Sequence, residues 1–106
     1  MSAEEANIAT HVVYHGIDNE GIVRYVGITG RNATERFAEH LNSIGTGKEL
    51  LRYEVIEGAT GLSRTQARVW EQNLINQYGL GNTGGQLLNK INSIALKNWT
   101  MFGINP

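Results

Sequence analysis

The 106-residue chain has no cysteine and a single proline, at position 106. Without cysteine there can be no disulfide framework, zinc ribbon or thiol nucleophile. With proline confined to the last position, the turns fall to glycine, of which there are thirteen. No apolar run approaches the roughly 18 residues that a membrane-spanning helix needs. Met1-Ser2-Ala3-Glu4-Glu5 is too acidic and polar for a secretory signal. An excess of one charge is also missing: nine Lys and Arg face ten Asp and Glu, a net charge of −1. That balance argues against a coat for polyanions, although basic residues can still cluster locally. There is no repeat, low-complexity tract or internal linker. The 41% hydrophobic and 18% charged residues describe a globular chain. A chain of this length buries roughly 60–70% of its unfolded surface, enough for one modest core. A single domain over residues 1–106 is expected, with residues 1–9 as a loose end.

Residues 11–17 read as a strand, since Val12, Val13 and Tyr14 favour a pleated, half-buried surface. Asp18-Asn19-Glu20-Gly21 makes a four-residue hairpin loop, and residues 22–29 return as a second strand. If the loop closes on Ile17 and Ile22, Tyr14 faces Tyr25, Gly16 faces Val23 and Val12 faces Gly27. Two phenols and two glycines then share one sheet face. Residues 34–44 carry a helical pattern with Phe37, Leu41 and Ile44 as its stripe. Arg36 and His40 stack on its flank, and Gly45 and Gly47 end it. Residues 50–57 are a third strand. Ser63-Arg64-Thr65-Gln66 is a capping box that opens a helix to Tyr78, closed by Gly79. On that helix Ala67, Trp70, Leu74, Ile75 and Tyr78 share a face, with Glu71 in its middle. Leu87, Leu88, Ile91 and Ile94 suggest a short helix around Asn89, before Trp99 and Phe102.

Glu71 is the most informative position. A carboxylate among core residues costs several kcal/mol unless a cation or hydrogen bonds hold it, so it is either a metal ligand or the partner of Arg36, Arg52 or Arg68. The tyrosine pair is a reaction floor or a stabilising cross-strand pair. Arg36 with His40 is a phosphate-binding pair or a solvated flank, and Asn89 alone reads as a cap or turn former. Gly27-Ile28-Thr29-Gly30 could cradle a phosphate ahead of the helix, but it lacks the Walker lysine spacing and the dinucleotide fingerprint, and reads as a turn. His11 and His15 share a strand face without a third metal ligand. One acid, one arginine, one histidine and two phenols suit metal-assisted phosphodiester hydrolysis. The carboxylate holds a hard cation, the arginine neutralises charge growing on phosphate, and a phenol or imidazole takes a proton from water.

These residues resemble the GIY-YIG nuclease superfamily. Val12-Val13-Tyr14, ten intervening residues and Tyr25-Val26-Gly27 look like its signature, followed in order by Arg36, His40, Glu71 and Asn89. The likeness runs over residues 12–92. Val12-Val13 departs from the eponymous glycine-isoleucine, but valine keeps the strand and the tyrosine is retained. The resemblance implies a small α/β (α+β) domain, with a three-stranded antiparallel sheet flanked by helices. It also implies one divalent ion, Mg²⁺ or Mn²⁺, on Glu71. By the same carry-over Tyr14 is the first choice of general base and needs a nearby cation to form its phenolate. His40 is the competing base or protonates the leaving oxygen. Arg36 stabilises the transition state, Tyr25 positions water or phosphate, and Asn89 bonds near the site. Gly27, Thr29, Arg24, Arg68 and Lys90 are candidate substrate contacts, within a wider basic set that includes Arg31, Arg52, Arg64 and Lys97.

Residues 65–72 and Gly84-Gly85-Gln86-Leu87-Leu88-Asn89-Lys90-Ile91-Asn92 are similar to the C-terminal nuclease domains of bacterial polymorphic toxins of the contact-dependent inhibition and Rhs types. That likeness implies secretion within a larger toxin, delivery to the target-cell cytoplasm and a cognate immunity protein, which would account for a chain without an export signal. DNA is the expected substrate. An RNase on the same fold and a non-catalytic module that binds nucleic acid or protein are the alternatives, and no membrane insertion is expected.

Overall fold

Asp18 sets the first turn. Its carboxylate accepts the backbone N–H groups of Glu20 at 2.9 Å and Ile22 at 3.0 Å, and its own N–H donates to the Ile22 carbonyl. In the computed structural model, which describes residues 10–105, this turn joins β1 (Val12–Ile17) to β2 (Val23–Thr29). The loop closes on Asp18 and Ile22, one residue later than expected. A second one-residue slip follows, because Arg24 bulges between the pairs Ile17↔Val23 and Gly16↔Tyr25. The expected register is therefore corrected: Tyr14 faces Gly27, Gly16 faces Tyr25 and Val12 faces Thr29. One slip would turn every side chain to the wrong face, but two restore the parity. The phenols and glycines still share a face.

On the other side of β1 lies β3 (Arg52–Val55), which places Tyr53 opposite Gly16, and the strand order is β2-β1-β3. β3 is shorter than residues 50–57 because a 3-10 turn, Lys48–Leu50, takes up its start. Beyond its end, the Ile56 N–H donates to the Val13 carbonyl and the Val13 N–H to the Ala59 carbonyl, so the ladder continues irregularly.

Helix α1 (Ala33–Leu41) begins where the Asn32 side chain accepts the Thr34 N–H at 2.8 Å. It ends three residues before position 44: Asn42 caps it, and the Ser43 hydroxyl donates to the Glu39 carbonyl. The expected stripe holds at Phe37 and fails at Leu41 and Ile44. Phe37 and His40 face inward, whereas Leu41 is 47% and Ile44 79% exposed. The surface beneath α1 is aromatic and carries a phenol that needs a hydrogen-bond partner. Histidine meets that demand and leucine cannot.

Helix α2 (Arg64–Tyr78) has both hydrogen bonds of the Ser63–Gln66 capping box and ends at Gly79, φ +88°. Its Ala67, Trp70, Leu74, Ile75 and Tyr78 pack with Val13, Val26 and Ile28. Each Val, Leu or Ile side chain among them, once fully buried, contributes about 1.5–3 kcal/mol. Residues 86–94 form no helix, because their polar groups serve other elements. Along the open edge of β2, the Gln86 side chain donates to the Val23 carbonyl and the Leu88 N–H to the Arg24 carbonyl. The Asn89 amide accepts the Val26 N–H at 3.0 Å and donates to the Val26 carbonyl at 2.8 Å. Gln72, fully buried on α2, donates to Asn76 and Asn92 and accepts the Ile94 N–H. The last core cluster, Ile94, Trp99 and Ile104 with Val69, is thereby fastened to α2. The architecture is a small α+β domain with one three-stranded antiparallel sheet and two α-helices. No helix among the described residues is long and apolar enough to cross a membrane.

Candidate active site

The tyrosine face is built on bare backbone. A Cβ at Gly27 would stand 2.5 Å from Cζ of Tyr14, and one at Gly16 would stand 2.6 Å from Cε1 of Tyr53. Each glycine thus admits a ring from the neighbouring strand. Tyr14, fully buried, has its ring centroid 6.3 Å from Tyr25, 6.2 Å from Tyr53 and 5.2 Å from Phe37. His40, only 3% exposed, stacks on Tyr53 at 5.0 Å and meets Tyr25 edge-on at 4.9 Å. Its Nε2 is 2.7 Å from the Tyr14 hydroxyl. Sequence periodicity set His40 on a helix flank; the fold buries it.

The charges follow from this burial. Desolvation, then the Arg36 and Lys48 cations, pull the His40 imidazole down to about 4, so it is neutral at pH 7. Burial also pushes the Tyr14 and Tyr25 phenols upward, and the negative charge of Glu71 pushes both the same way. The Arg36 guanidinium beside them draws both back down. Arg36 itself donates to Glu39 at 2.8 Å, and Arg31 donates to the same carboxylate at 2.7 Å. Hydrogen bonds from these two arginines hold Glu39 down at about 2. Glu71 is raised, chiefly by burial, while the Ser93 hydroxyl and the Arg68 charge work against the shift.

Of the residues singled out in the sequence, Tyr14, Tyr25, Arg36 and His40 converge, and Glu71 is near enough for its charge to be felt at both phenols. Gly27 lies beneath Tyr14 rather than in a phosphate cradle. Thr29 is buried, and its hydroxyl accepts the Arg31 N–H. Asn89 is committed to the backbone of Val26, between Tyr25 and Gly27, and so positions the floor. Arg68 donates to the Ser93 carbonyl. Arg24 and Lys90 line a depression whose wall includes none of the ring residues. His15 pairs with Glu54 at 2.8 Å.

Two residues escaped the sequence reading. Tyr53 joins the floor from β3, and pairing residues 50–57 with the first strand would have found it. Lys48 stands with Nζ 5.0 Å from the Tyr25 ring centroid, and no spacing in the chain announces it.

No family model, curated protein or solved structure matches this chain. The chemistry of the donors therefore carries the reading. Among the described residues no three His, Asp or Glu side chains converge, so there is no all-protein cage for a metal. Glu71 is a different case. It is a desolvated carboxylate, and no ion pair within salt-bridge distance neutralises it among the described residues. Such a group fits a hard cation that keeps its waters and takes substrate oxygens as its remaining ligands.

Proposed function

We propose that this site hydrolyses phosphodiester bonds in DNA as a metal-dependent endonuclease of GIY-YIG type. The hydrogen bond between the Tyr14 hydroxyl and the neutral His40 imidazole carries the proposal, since it joins the two competing bases into one relay. Burial makes a free Tyr14 phenolate costly, so the phenol accepts a proton from attacking water as its own passes to Nε2 of His40. The water oxygen bonds to phosphorus while the bond to the leaving sugar oxygen breaks, and the imidazolium is the acid that returns a proton. Arg36 can leave Glu39 to meet the charge growing on phosphate, and Tyr25 orients the attacked group. Bound at Glu71, Mg²⁺ or Mn²⁺ supplies Lewis-acid charge to the phosphate. The order Tyr14, Tyr25, Arg36, His40, Glu71, Asn89 supports assignment to this nuclease family. The similarity of residues 65–72 and 84–92 to toxin nuclease domains supports a setting in which the domain is delivered to a target-cell cytoplasm and neutralised by an immunity protein.

Supercoiled plasmid and total RNA, each incubated with Mg²⁺, with chelator and with Glu71→Gln protein, test the reading. Plasmid nicking is expected that needs both the metal and Glu71, with the variant keeping the wild-type circular dichroism spectrum. Chelator-resistant loss of RNA would replace the metal mechanism by attack of the 2′-hydroxyl. Binding without turnover would make the domain a non-catalytic module.

A further inference from the structure

Six cations take part in none of the ion pairs among the described residues: Arg24, Lys48, Arg64, Arg68, Lys90 and Lys97. Of these, Lys48 stands over the Tyr25 ring, and Arg24 and Lys90 line one depression. Arg31, Arg36 and Arg52, by contrast, each meet a carboxylate. The position of Lys48 is built. Gly47, at φ +88°, starts its 3-10 turn, and the Tyr53 phenol donates to the Lys48 carbonyl at 2.7 Å. The Lys48 ammonium lies over the Tyr25 ring. Next to Gly47 the surface falls into a depression of about 340 Å³ lined by Leu51, Arg24 and Leu88, with Asp18 and Glu20 also on its wall. Asp18 is already engaged by the hairpin amides. A second depression of about 320 Å³ also has Arg24 and Leu88 on its wall and adds Lys90 and Asn82.

The backbone beneath these cations is also fixed. Arg24 is the bulged residue of β2, and its carbonyl is taken by the Leu88 N–H. Lys90 follows Asn89, which is clamped on Val26. One cation over the floor and two more that share a depression with Leu87 and Leu88 suit a chain of phosphates better than a single anion.

We infer that Lys48, Arg24 and Lys90 form a track that binds the phosphates of a nucleic-acid strand on one side of the scissile bond. This rests on the phosphodiesterase reading of the floor and names the residues outside it that hold the substrate strand. Phosphates of DNA and RNA offer the track the same chemistry, so both are used as probes.

The test is fluorescence anisotropy with labelled single-stranded DNA, duplex DNA and single-stranded RNA, in protein carrying Glu71→Gln, between about 50 and 200 mM salt. The triple variant Arg24→Ala, Lys48→Ala, Lys90→Ala is expected to bind at least tenfold more weakly at the lowest salt. Its slope of log affinity against log salt should fall by about 2 to 3, at roughly 0.7–0.9 per lost phosphate contact. Should the triple variant not fold, each single variant should lower the slope by roughly one contact's share. Arg64→Ala with Lys97→Ala, which line neither depression, is the comparison. An unchanged slope in the triple variant, or an equal loss in the comparison pair, overturns the track while leaving cleavage by the parent chain intact. A parent chain that neither binds nor cuts overturns both readings.

Discussion

Gly27 has no room for a methyl group, and what would collide with it is the ring of the proposed base. An added Cβ meets Cζ and the hydroxyl of Tyr14 at 2.5 and 2.6 Å, and both rigid partners must move. Gly27→Ala should therefore cost about 1–3 kcal/mol, as overpacked sites do. That corresponds to roughly 4–8 °C of melting temperature per kcal/mol in a domain of this size. It should also lengthen the Tyr14–His40 hydrogen bond and lower cleavage together with stability. Thermal unfolding and plasmid nicking on the same protein check this, and an unchanged melting temperature would mean that Tyr14 does not depend on the bare backbone. Glu71 shows the same coupling of position and chemistry: burial both raises its pKa and suits it to a cation.

Among the elements, β2 owes its outer edge to residues far along the chain. Asn89 gives Val26 one acceptor and one donor, the two bonds a further strand would have supplied. Asn89→Ala leaves both Val26 groups unpaired at about 1–3 kcal/mol for each that stays buried. The expected result is faster hydrogen exchange at the Val26 amide, with protection at the Val13 amide, bonded to Ala59, changed less. Equal loss at both amides would indicate global destabilisation rather than an opened edge. The hairpin carries a related lesson. Its loop was legible as a loop, but the side chain of Asp18 and the bulge at Arg24 chose the pairing.

For the molecule as a whole, burial of His40 makes stability depend on pH. Its pKa is about 4 in the folded chain against an ordinary 6.5, so between these values the unfolded chain binds more protons. Stability is fully present above about 6.5 and falls as pH drops toward 4. Glu39, held at about 2 against 4.5, loses its contribution in a lower window. Glu71 acts in the opposite sense, since its raised pKa removes stability as pH rises above 4.5. Urea unfolding at pH 4.5 and pH 7 should show wild type more stable at the higher value. His40→Gln should lose most of that difference, and a difference of wild-type size in the variant would remove His40 as its source.

Much of the fold and site was legible because it rests on short-range rules. The capping box at Ser63, the stop at Gly79 and the apolar face of α2 each depend on residues close together in the chain. The shared face of Tyr14, Gly16, Tyr25 and Gly27, by contrast, survived only because two register slips cancelled. The order of Tyr14, Tyr25, Arg36, His40 and Glu71 along the chain was enough to mark them as a set. What the sequence could not decide was the partner at long range. Alongside Phe37, His40 faces inward in place of Leu41 and Ile44, because a phenol from β1 waits beneath α1. Asn89 and Gln72 are spent on backbone and amide groups up to 63 positions away. Tyr53 and Lys48 reach the floor because β3 pairs with β1. Periodicity and caps are set by the energy of a single turn or strand, whereas these choices depend on which polar groups another element leaves unsatisfied, and only the assembled tertiary structure supplies that.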